Sequence, residues 1–310
     1  MRRVVLLTGL LLAVTSALSN GSAQMPVRRG SSQTAVEGFK TQPLTPFEAR
    51  LVQQARLDGA VYENETRPTA DHNARGLILT GGTVAVVDLS VMGRKYGVSL
   101  DGTDDVLIKN FSFVGRRSMD QFGSGVILGS KAPTRGQTYL SNAYIDLKEP
   151  GPNPDYKLAN NEAISVERGN GMLNVRQAVL IGAGEAGLDN KGDVTMDGVF
   201  IASGHRPVRV WSGGSLVLSN SIVLAIPGFG GFWFGGGTKT ARLDYFNCKF
   251  GRFGDRLEDL SSEIPAWMIA TEDDADVRIT HLRKDPLDRR PGAFWAPVET
   301  PIPHGFLAGR

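Results

Sequence analysis

One feature of the sequence constrains the fold more than any other: a short polar side chain recurs directly after segments of alternating apolar residues. The recurring polar residues are Asp88, Asn110, Asn142, Gln177, Asp197, Asn220 and Asn247. They stand 22, 32, 35, 20, 23 and 27 residues apart along the chain. The short intervals are typical of one coil of a β-solenoid, and the long intervals indicate a coil that carries an inserted loop.

Two more apolar segments accompany each of these polar residues. An apolar pair follows it, as Phe111 and Phe113 follow Asn110, and another segment, such as residues 98–100, precedes it. Each coil is therefore predicted to hold three short strands, separated by turns rich in Gly, Asn, Asp and Ser. Coils stacked about 4.8 Å apart bury one continuous core, which no single coil can bury alone.

The sequence accordingly predicts an all-β fold, a single-stranded right-handed parallel β-helix of about 7–8 coils over residues 76–280. An antiparallel β-sandwich also has short strands at a spacing of roughly 8–12 residues. A sandwich does not predict an Asn or Asp at the same phase of successive coils, whereas a ladder of stacked polar residues does.

The segments on either side of the coils are predicted to be flexible or to cover the stack. Residues 24–44 are polar and form a flexible lead-in. Residues 45–75 hold a helix and a linker, with Thr45 as the N-cap and Pro46 in the first turn, and the helix is expected to cap the first coil. Residues 281–310 are rich in proline and predict an extended strap along the stack.

The first residues of the chain predict export. Arg2 and Arg3 precede an apolar run of about fifteen residues, and Gly21 and Ala23 satisfy the small-x-small cleavage rule. Residues 1–23 are therefore predicted to be a signal peptide, and the mature protein to be secreted or periplasmic without a membrane span. The apolar run is shorter than the roughly 20 residues of a membrane span, although an uncleaved anchor is the alternative interpretation.

Charge and cysteine content exclude several classes of function. The net charge of +2 argues against a nucleic-acid partner, which requires a basic surface to offset phosphate charge. Cys248 is the single cysteine, so the chain has no internal disulfide and no Cys/His zinc site of the usual kind. We expect it to be a small buried residue and not a nucleophile. The sequence leaves the oligomeric state open.

The three-strand coil and the polar ladder, with Asn110, Asn142, Asn220 and Asn247, resemble the pectate lyase and pectin lyase superfamily. These are the right-handed β-helices of polysaccharide lyases, glycoside hydrolases and some epimerases. The resemblance covers about residues 76–280. It implies a polysaccharide partner and a substrate groove along one sheet, with walls made by loops inserted between coils. Because a fold does not determine a function, the activity has to be argued from the residues of the groove.

Two carboxylates are the first candidates in that groove. Alternation places Glu167 and Asp189 outward on adjacent coils, with their backbones about 5 Å apart. They are open to three interpretations. In the first, they form a glycosidase pair, since retaining enzymes hold their two carboxylates about 5–5.5 Å apart. In the second, they share a Ca²⁺ ion that bridges to an acidic sugar, as the resemblance to pectate lyases implies. In the third, they are an exposed pair whose negative charge is offset by Lys191 and Arg168.

The segment that begins at Gly204 holds further candidates. The Arg-Pro-x-Arg element from Arg206 to Arg209 resembles the pectate lyase segment whose arginine abstracts a proton, and Gly204 with His205 resembles the Gly-His pair of polygalacturonases. The full polygalacturonase set, with its Asn-Thr-Asp, Asp-Asp and Arg-Ile-Lys segments, is absent from the sequence, which argues against that class of hydrolase. His205, Arg206 and Lys191 are candidate bases, and Arg209 a candidate to neutralise a carboxylate. A purely structural role for a histidine at a turn is the alternative.

Two tryptophans are predicted to bind substrate. Trp211 and Trp233 are expected on neighbouring coils, nearly one above the other, and an exposed tryptophan on such a face is explained if a sugar ring stacks on it. The alternative is that the strap covers them through Phe294 and Trp295.

A long loop is predicted to form one wall of the groove. Residues 148–161 exceed a plain turn, and the loop presents Tyr156 as an acid or base and Lys157 as a substrate contact. A simple insertion without a role in the site is the alternative.

Two functions from different classes follow from these candidates. The first is a polysaccharide lyase-like enzyme that acts on an acidic polysaccharide by β-elimination. That reaction needs a group that neutralises the uronate carboxylate, a base for the C5 proton and an acid for the leaving oxygen. The second is a non-catalytic exported β-helix that binds polysaccharide or serves cell-surface assembly. Stacking aromatic residues without a convergent acid–base set would favour the second function.

Overall fold

The computed structural model describes residues 36, 39–67, 75–115, 122–148, 160–203, 205–226 and 228–309. Within them the chain forms one α-helix, α1 (Pro46–Asp58), two 3₁₀ turns (Leu257–Asp259 and Ala266–Met268) and nineteen strands. In chain order the strands are β1 (Ala60–Arg67), β2 (Arg75–Thr80), β3 (Val84–Arg94), β4 (Tyr96–Asp101), β5 (Val106–Gly115), β6 (Gly123–Leu128), β7 (Thr138–Asp146), β8 (Asn161–Val166), β9 (Leu173–Ile181), β10 (Ala186–Asn190), β11 (Asp193–Ala202), β12 (Arg206–Val210), β13 (Ser215–Ser219), β14 (Ile222–Ala225), β15 (Phe232–Phe234), β16 (Gly237–Phe246), β17 (Lys249–Arg252), β18 (Ile269–Thr271) and β19 (Ala275–His281).

The strands form two large sheets, and the chain alternates between them. Sheet A holds eleven strands in the order β1-β3-β5-β7-β9-β11-β13-β16-β19, with β14 pairing with both β11 and β17. Sheet B holds eight strands in the order β2-β4-β6-β8-β10-β12-β15-β18. All pairs between these strands of the described residues are parallel. The arrangement confirms the predicted all-β repeat, is compatible with a parallel β-helix, and excludes the antiparallel sandwich.

The recurring polar residues lie where the long strands of sheet A turn a corner. Asp88, Asn110 and Asn142 adopt φ angles of 58°, 55° and 52°, in the left-handed region that Asn and Asp tolerate better than most residues. Val86 and Leu89 both belong to the core although they lie three positions apart, which a continuous strand does not allow. The left-handed residue therefore resets the alternation, so that both halves of the strand face the core.

The side chains at this corner stack in a file. Asn110 Nδ2 donates to Asp88 Oδ1 at 2.7 Å, and Asn142 Nδ2 donates to Asn110 Oδ1 at 2.7 Å. Near the other end of sheet A, Asn247 Nδ2 donates to Asn220 Oδ1 at 2.7 Å. At these places neighbouring coils are aligned by a side-chain hydrogen bond as well as by the backbone.

One predicted member of this file, Asp197, lies one residue before it. Gly198 takes the left-handed position with φ 62°, while Asp197 pairs across the sheet with Arg176 and Ser219. Glycine adopts this conformation without strain because it has no Cβ. The prediction was wrong by one position because adjacent Asp and Gly residues both suit a corner. Asp197 Oδ1 still accepts a hydrogen bond of 2.7 Å from Asn220.

The inward side chains of both sheets form one continuous core. Phe111, Phe113, Phe232 and Phe234 are at most 1% exposed. Burial of one such side chain contributes about 1.5–3 kcal/mol, so stacking of coils supplies the main driving force for the fold. Cys248 is buried as expected, and burial raises the pKa of its thiol to about 12.

Helix α1 packs on the outward face of sheet A. Its N-terminus is a capping box, in which Thr45 Oγ1 accepts from the Glu48 N–H at 3.3 Å and the Glu48 carboxylate accepts from the Thr45 N–H at 2.8 Å. Val52 and Ala55 form a buried cluster with Ala85 of β3. The closure of the end of the stack by this helix stays a prediction. Among the described residues, no helix is long and apolar enough to cross a membrane.

Charged side chains lie buried between sheet A and the segments that cover it. Lys109 Nζ of β5 lies 3.2 Å from Glu48 Oε1 of the helix, and both side chains are at most 1% exposed. Burial lowers the pKa of Lys109, against the opposing attraction of Glu48. Further along the same face, Arg176 Nε donates to the Ala296 carbonyl at 3.0 Å.

The proline-rich segment runs along this same outward face of sheet A. Arg289 Nη1 lies 2.5 Å from Asp197 Oδ2, and Arg289 Nη2 donates to Asp197 Oδ1 at 2.8 Å. The Phe294 ring packs 5.6 Å from that of Phe47 and 5.0 Å from that of Tyr139, with Trp295 beside it. The alternative interpretation, in which Phe294 and Trp295 cover the two tryptophans of sheet B, is wrong, because these rings pack with the aromatic side chains of sheet A and α1.

We predict that Asn142→Ala destabilises the protein by about 2–3 kcal/mol, because alanine loses the ladder hydrogen bond and is strained at positive φ. Asn142→Gly, which loses the same hydrogen bond without the strain, is expected to cost about 1 kcal/mol less. Urea denaturation of both variants measures the difference. Equal losses in the two variants would contradict a role for the left-handed corner.

We predict that Arg289→Ala costs about 3–5 kcal/mol, because it leaves the Asp197 carboxylate buried without its ion pair. The strap should also become sensitive to limited proteolysis while sheet B stays protected. Arg290→Ala is the matched control, since the Arg290 side chain is 85% exposed and pairs only with the neighbouring Asp288 in the part of the chain described. Equal stability of the two variants would show that the buried ion pair does not hold the strap.

Candidate functional site

The outward face of sheet B carries rows of side chains that run across the strands. Strand pairing defines one row as Ile78, Ser99, Ile127, Ser165, Asp189, Arg209 and Trp233. A cavity of about 430 Å³ opens over the middle of this face. Its size lies within the range of small-molecule sites, and its lining includes Asp189, Arg209, Lys191, Glu167 and Trp211.

The register of β10 differs from the prediction for Asp189. Leu188 faces the core and pairs with Ile164 and Val208, so Asp189 pairs with Ser165 and Arg209 instead of with Glu167. The inward residues were therefore predicted correctly. The outward neighbour of Asp189 was predicted wrongly by two positions, because it is Ser165 and not Glu167. The shift arose because turn lengths, which set the register, are not visible in an alternating pattern.

Lys191 lies between the two predicted metal ligands. Its Nζ donates to Glu167 Oε1 at 2.7 Å and lies 3.4 Å from Asp189 Oδ2. Burial opposes the charge on Lys191, but the two carboxylates outweigh it and raise its pKa. Lys191 is consequently a cation and not a base.

The ammonium group occupies the position that a shared Ca²⁺ would need, so the arrangement of Glu167 and Asp189 does not fit that ion. Among the described residues, no group of three or more His, Cys, Asp or Glu side chains could hold a metal. Ca²⁺ binding at this pair stays a prediction, and it would require Lys191 to leave.

Two further carboxylates lie in the site that the sequence analysis missed. Glu162, the second residue of β8, and Glu185, directly before β10, are 9% and 3% exposed. Arg209 forms an ion pair with Glu185, and its Nε lies 3.5 Å from Asp189 Oδ1. With its amide nitrogen assigned to the side that faces them, Asn160 donates to both glutamates. The site thus gathers three buried carboxylates around one guanidinium group.

The signal that could have identified these glutamates is a lone charge inside an otherwise apolar segment. Glu162 precedes Ala-Ile-Ser-Val, and Glu185 stands between Ala-Gly and Ala-Gly-Leu. A charged side chain is almost never fully buried unless it is paired, so such positions indicate a partner across the sheet.

The buried carboxylates have strongly perturbed acidity. Burial, followed by repulsion from Asp189 and Glu185, raises the pKa of Glu162 to about 8, against the attraction of Arg209 and Lys191. Burial likewise raises the pKa of Glu185. At neutral pH the folded protein therefore holds Glu162 mainly as a neutral acid that can donate a proton.

The segment between β11 and β12 supplies the next candidates. Burial, followed by repulsion from Arg206 and Arg209, lowers the pKa of His205 to about 4, so its imidazole is neutral at pH 7 and can accept a proton. The His205 ring lies 5.0 Å from that of Phe229. Because Arg206 pairs with Ala186, which pairs with Glu162, about two strand spacings, or roughly 10 Å, separate these segments of backbone.

The two predicted tryptophans differ from the expected exposed pair. Their rings meet edge to face at 4.7 Å, but Trp233 is only 5% exposed. The Arg209 guanidinium lies 4.8 Å from the Trp211 ring and 5.0 Å from the Trp233 ring, and Arg206 lies 4.9 Å from Trp233. Trp211 Nε1 donates to Asp189 Oδ1 at 2.6 Å. Only Trp211 is half-exposed, so Trp233 serves to position the arginines instead of stacking on a ligand.

Arg75, Tyr96 and Phe122 also line the cavity, on the side of β2, β4 and β6. The Arg75 guanidinium lies 5.0 Å from the Tyr96 ring, and Phe122 beside them is 59% exposed. The predicted loop candidates Tyr156 and Lys157, like Gly204, lie outside the described residues.

Comparison of the chain with protein-family models, with curated proteins and with solved structures gave no match. The function is therefore argued from the geometry of the site alone.

We predict that the contribution of Glu162 to the stability of the protein falls as pH rises from about 4.5 to about 8, whereas His205, whose pKa is lowered, contributes in the opposite direction below about 6.5. Glu162 has its pKa raised to about 8 in the folded state, so its contribution to stability is complete below the unfolded value and is lost as pH rises through the folded value. The slope approaches about 1.4 kcal/mol per pH unit. In Glu162→Gln this contribution should be absent, so the free energy of unfolding, measured by urea denaturation at a series of pH values, should change less with pH. Parallel profiles for Glu162→Gln and the wild type, with exposed Glu258→Gln as the control, would contradict the assignment.

Proposed function

We propose that this protein is an exported, polysaccharide lyase-like enzyme that cleaves an acidic polysaccharide by β-elimination in the groove of sheet B. The observation that carries the proposal is the neutral acid Glu162 held beside the cations Arg209 and Lys191. Perturbed acids and fixed cations in one cavity are the parts that such a reaction requires.

The proposed roles follow from the charge that each side chain carries. The cations Arg209 and Lys191, with Arg206 beside them, would neutralise the uronate carboxylate and so acidify the C5 proton. His205, which is neutral and directly precedes β12 but does not itself line the cavity, would accept that proton. Glu162 would donate its proton to the O4 atom as the C4–O4 bond breaks and the C4–C5 double bond forms. The roles differ from the sequence-based ones in two respects. Glu162 takes the place of Tyr156 as the acid, and Lys191 and Arg206, which were candidate bases, neutralise the carboxylate instead.

We propose the finer features of the fold on the same terms. The eight strands of sheet B support a stack of about 7–8 coils, right-handed as in the pectate lyase and pectin lyase superfamily. The contact of α1 with β1, the edge strand of sheet A, supports a capping role at the N-terminal end. Export to the periplasm or beyond is proposed from the signal-like first 23 residues alone.

A second candidate function, a non-catalytic β-helix that binds polysaccharide or serves surface assembly, is favoured by one observation. Arg209 is already paired with Glu185 and enclosed by the rings of Trp211 and Trp233. A cation that is paired and enclosed inside the protein suits a fixed binding surface as well as a catalytic one.

We predict that Glu162→Gln lowers the rate of cleavage of an acidic polysaccharide by about 10²–10⁴-fold, the usual contribution of a general acid. The assay is incubation with pectate, alginate and glucuronan, with and without Ca²⁺, read at the absorbance of the unsaturated product. Glu258→Gln, on an exposed 3₁₀ turn, is the matched control and should keep full activity.

The outcomes separate the candidate functions. If new reducing ends form without the absorbing unsaturated product, the reaction is hydrolysis and not β-elimination. Binding without turnover, lost in Trp211→Ala, would favour the non-catalytic β-helix. Activity that requires Ca²⁺ would show that Lys191 leaves the carboxylates of Glu167 and Asp189.

A further inference from the structure

A second cavity lies on the other side of the molecule, between the first turn of α1 and the C-terminal strap. It measures about 790 Å³, larger than the groove of sheet B. Its floor is the outward face of sheet A, and its walls come from residues 46–50 and 288–295. The cavity shares no lining residue with the groove.

Aromatic rings form one wall of this cavity. Phe47, Tyr139 and Phe294 pack against one another with centroids 4.9–5.6 Å apart, and Trp295 lies 4.8 Å from Phe294. Phe294 is buried, whereas Trp295 and Tyr139 are half-exposed toward the cavity that they line. Half-exposed rings held rigid by their neighbours present a flat surface on which a planar or ring-shaped ligand can stack.

Polar groups on the floor face the same space. Asn174 is 3% exposed, and its Nδ2 donates to Gln137 Oε1 at 3.2 Å and to the Thr138 carbonyl at 3.4 Å. The Tyr139 hydroxyl also donates to Gln137 Oε1, at 3.0 Å. These bonds fix the amide of Asn174, whose Oδ1 accepts no hydrogen bond from any described residue. This oxygen is open to the cavity that Asn174 lines, so a ligand hydroxyl can donate a hydrogen bond to it.

A cation stands at the rim. Arg50 is exposed, and its guanidinium lies 5.8 Å from the Phe47 ring. No carboxylate of the described chain lies within ion-pair distance of Arg50, whereas the other arginine of the rim, Arg290, is paired with Asp288. Arg50 is therefore the group that would meet an anion on a bound ligand.

We propose that this cavity is a second carbohydrate-binding site, which takes an acidic sugar. The ring of the sugar would stack on Trp295, a hydroxyl would donate to Asn174, and the carboxylate would pair with Arg50. The preference for an acidic sugar agrees with the proposed function and in part rests on it, but the site itself is argued from its own residues. Because its walls come from two distant segments, bound sugar would also tie the strap to α1.

The test is calorimetric titration of the full-length mature protein, carrying Glu162→Gln to suppress turnover, with the trisaccharide of galacturonic acid as the probe. Arg50→Ala and Trp295→Ala are each expected to weaken one class of site by about tenfold or more. Arg56→Ala, on the same helix with a 59% exposed side chain, is the matched arginine control. Trp267→Ala, at a 36% exposed tryptophan elsewhere, is the tryptophan control.

Trp211→Ala tests the groove separately from this cavity. It should abolish sugar binding in the groove and leave unchanged the binding that Arg50→Ala weakens. If the proposed function fails, the groove variant changes nothing while Arg50→Ala still weakens binding. No binding of the trisaccharide, or equal binding by Arg50→Ala and Arg56→Ala, overturns the second site. Because Arg50 is exposed on the helix surface, its variant is informative even if Trp295→Ala fails to fold. Equal binding of a neutral trisaccharide, maltotriose, overturns the assignment to acidic sugars.

Discussion

The left-handed residue at the corner of each sheet A strand is the constraint on which the rest of the structure depends. A strand that continued its alternation past this point would turn its apolar side chains outward, whereas Val86 and Leu89 both face the core. The ladder from Asp88 to Asn142 repeats that corner at the same place in successive coils. Once the corners are aligned and the turns between the sheets have set the register, the outward side chains of sheet B also stand in rows, and the groove lies along these rows.

The electrostatics of the molecule follow from the same stacking. Neighbouring strands bring side chains more than twenty residues apart in sequence into contact, as with Glu185 and Arg209 on one sheet and Asp197 and Arg176 on the other. Charges in such rows are shielded from water by the coils on either side. They therefore occur as compensated groups, and the cost of one unpaired member is high. Glu162 responds to this environment by retaining its proton.

Much of the fold was predictable from the sequence, because apolar alternation and a recurring polar residue are local signals that stacking repeats many times. The register of single outward residues was less predictable, as Asp189 and Asp197 show, since it depends on turn lengths and on which of two adjacent residues takes the corner. The site was predicted only in part. Lys191 and Arg209 were identified. Glu162 and Glu185 were missed, because the residues that surround them in the site lie on neighbouring strands and are distant in sequence.

The ion pair between Arg289 and Asp197 joins residues 92 positions apart, and this separation bears on the order of folding. A chain that emerges from its N-terminus can add coil to coil as each one becomes available, because each contact reaches back only one coil. The carboxylate of Asp197 nevertheless stays hydrated until almost the whole polypeptide has been released. Completion of the native state is thereby coupled to the arrival of the last segment. A chain truncated before Arg289 would keep its coils but leave the Asp197 carboxylate in solvent.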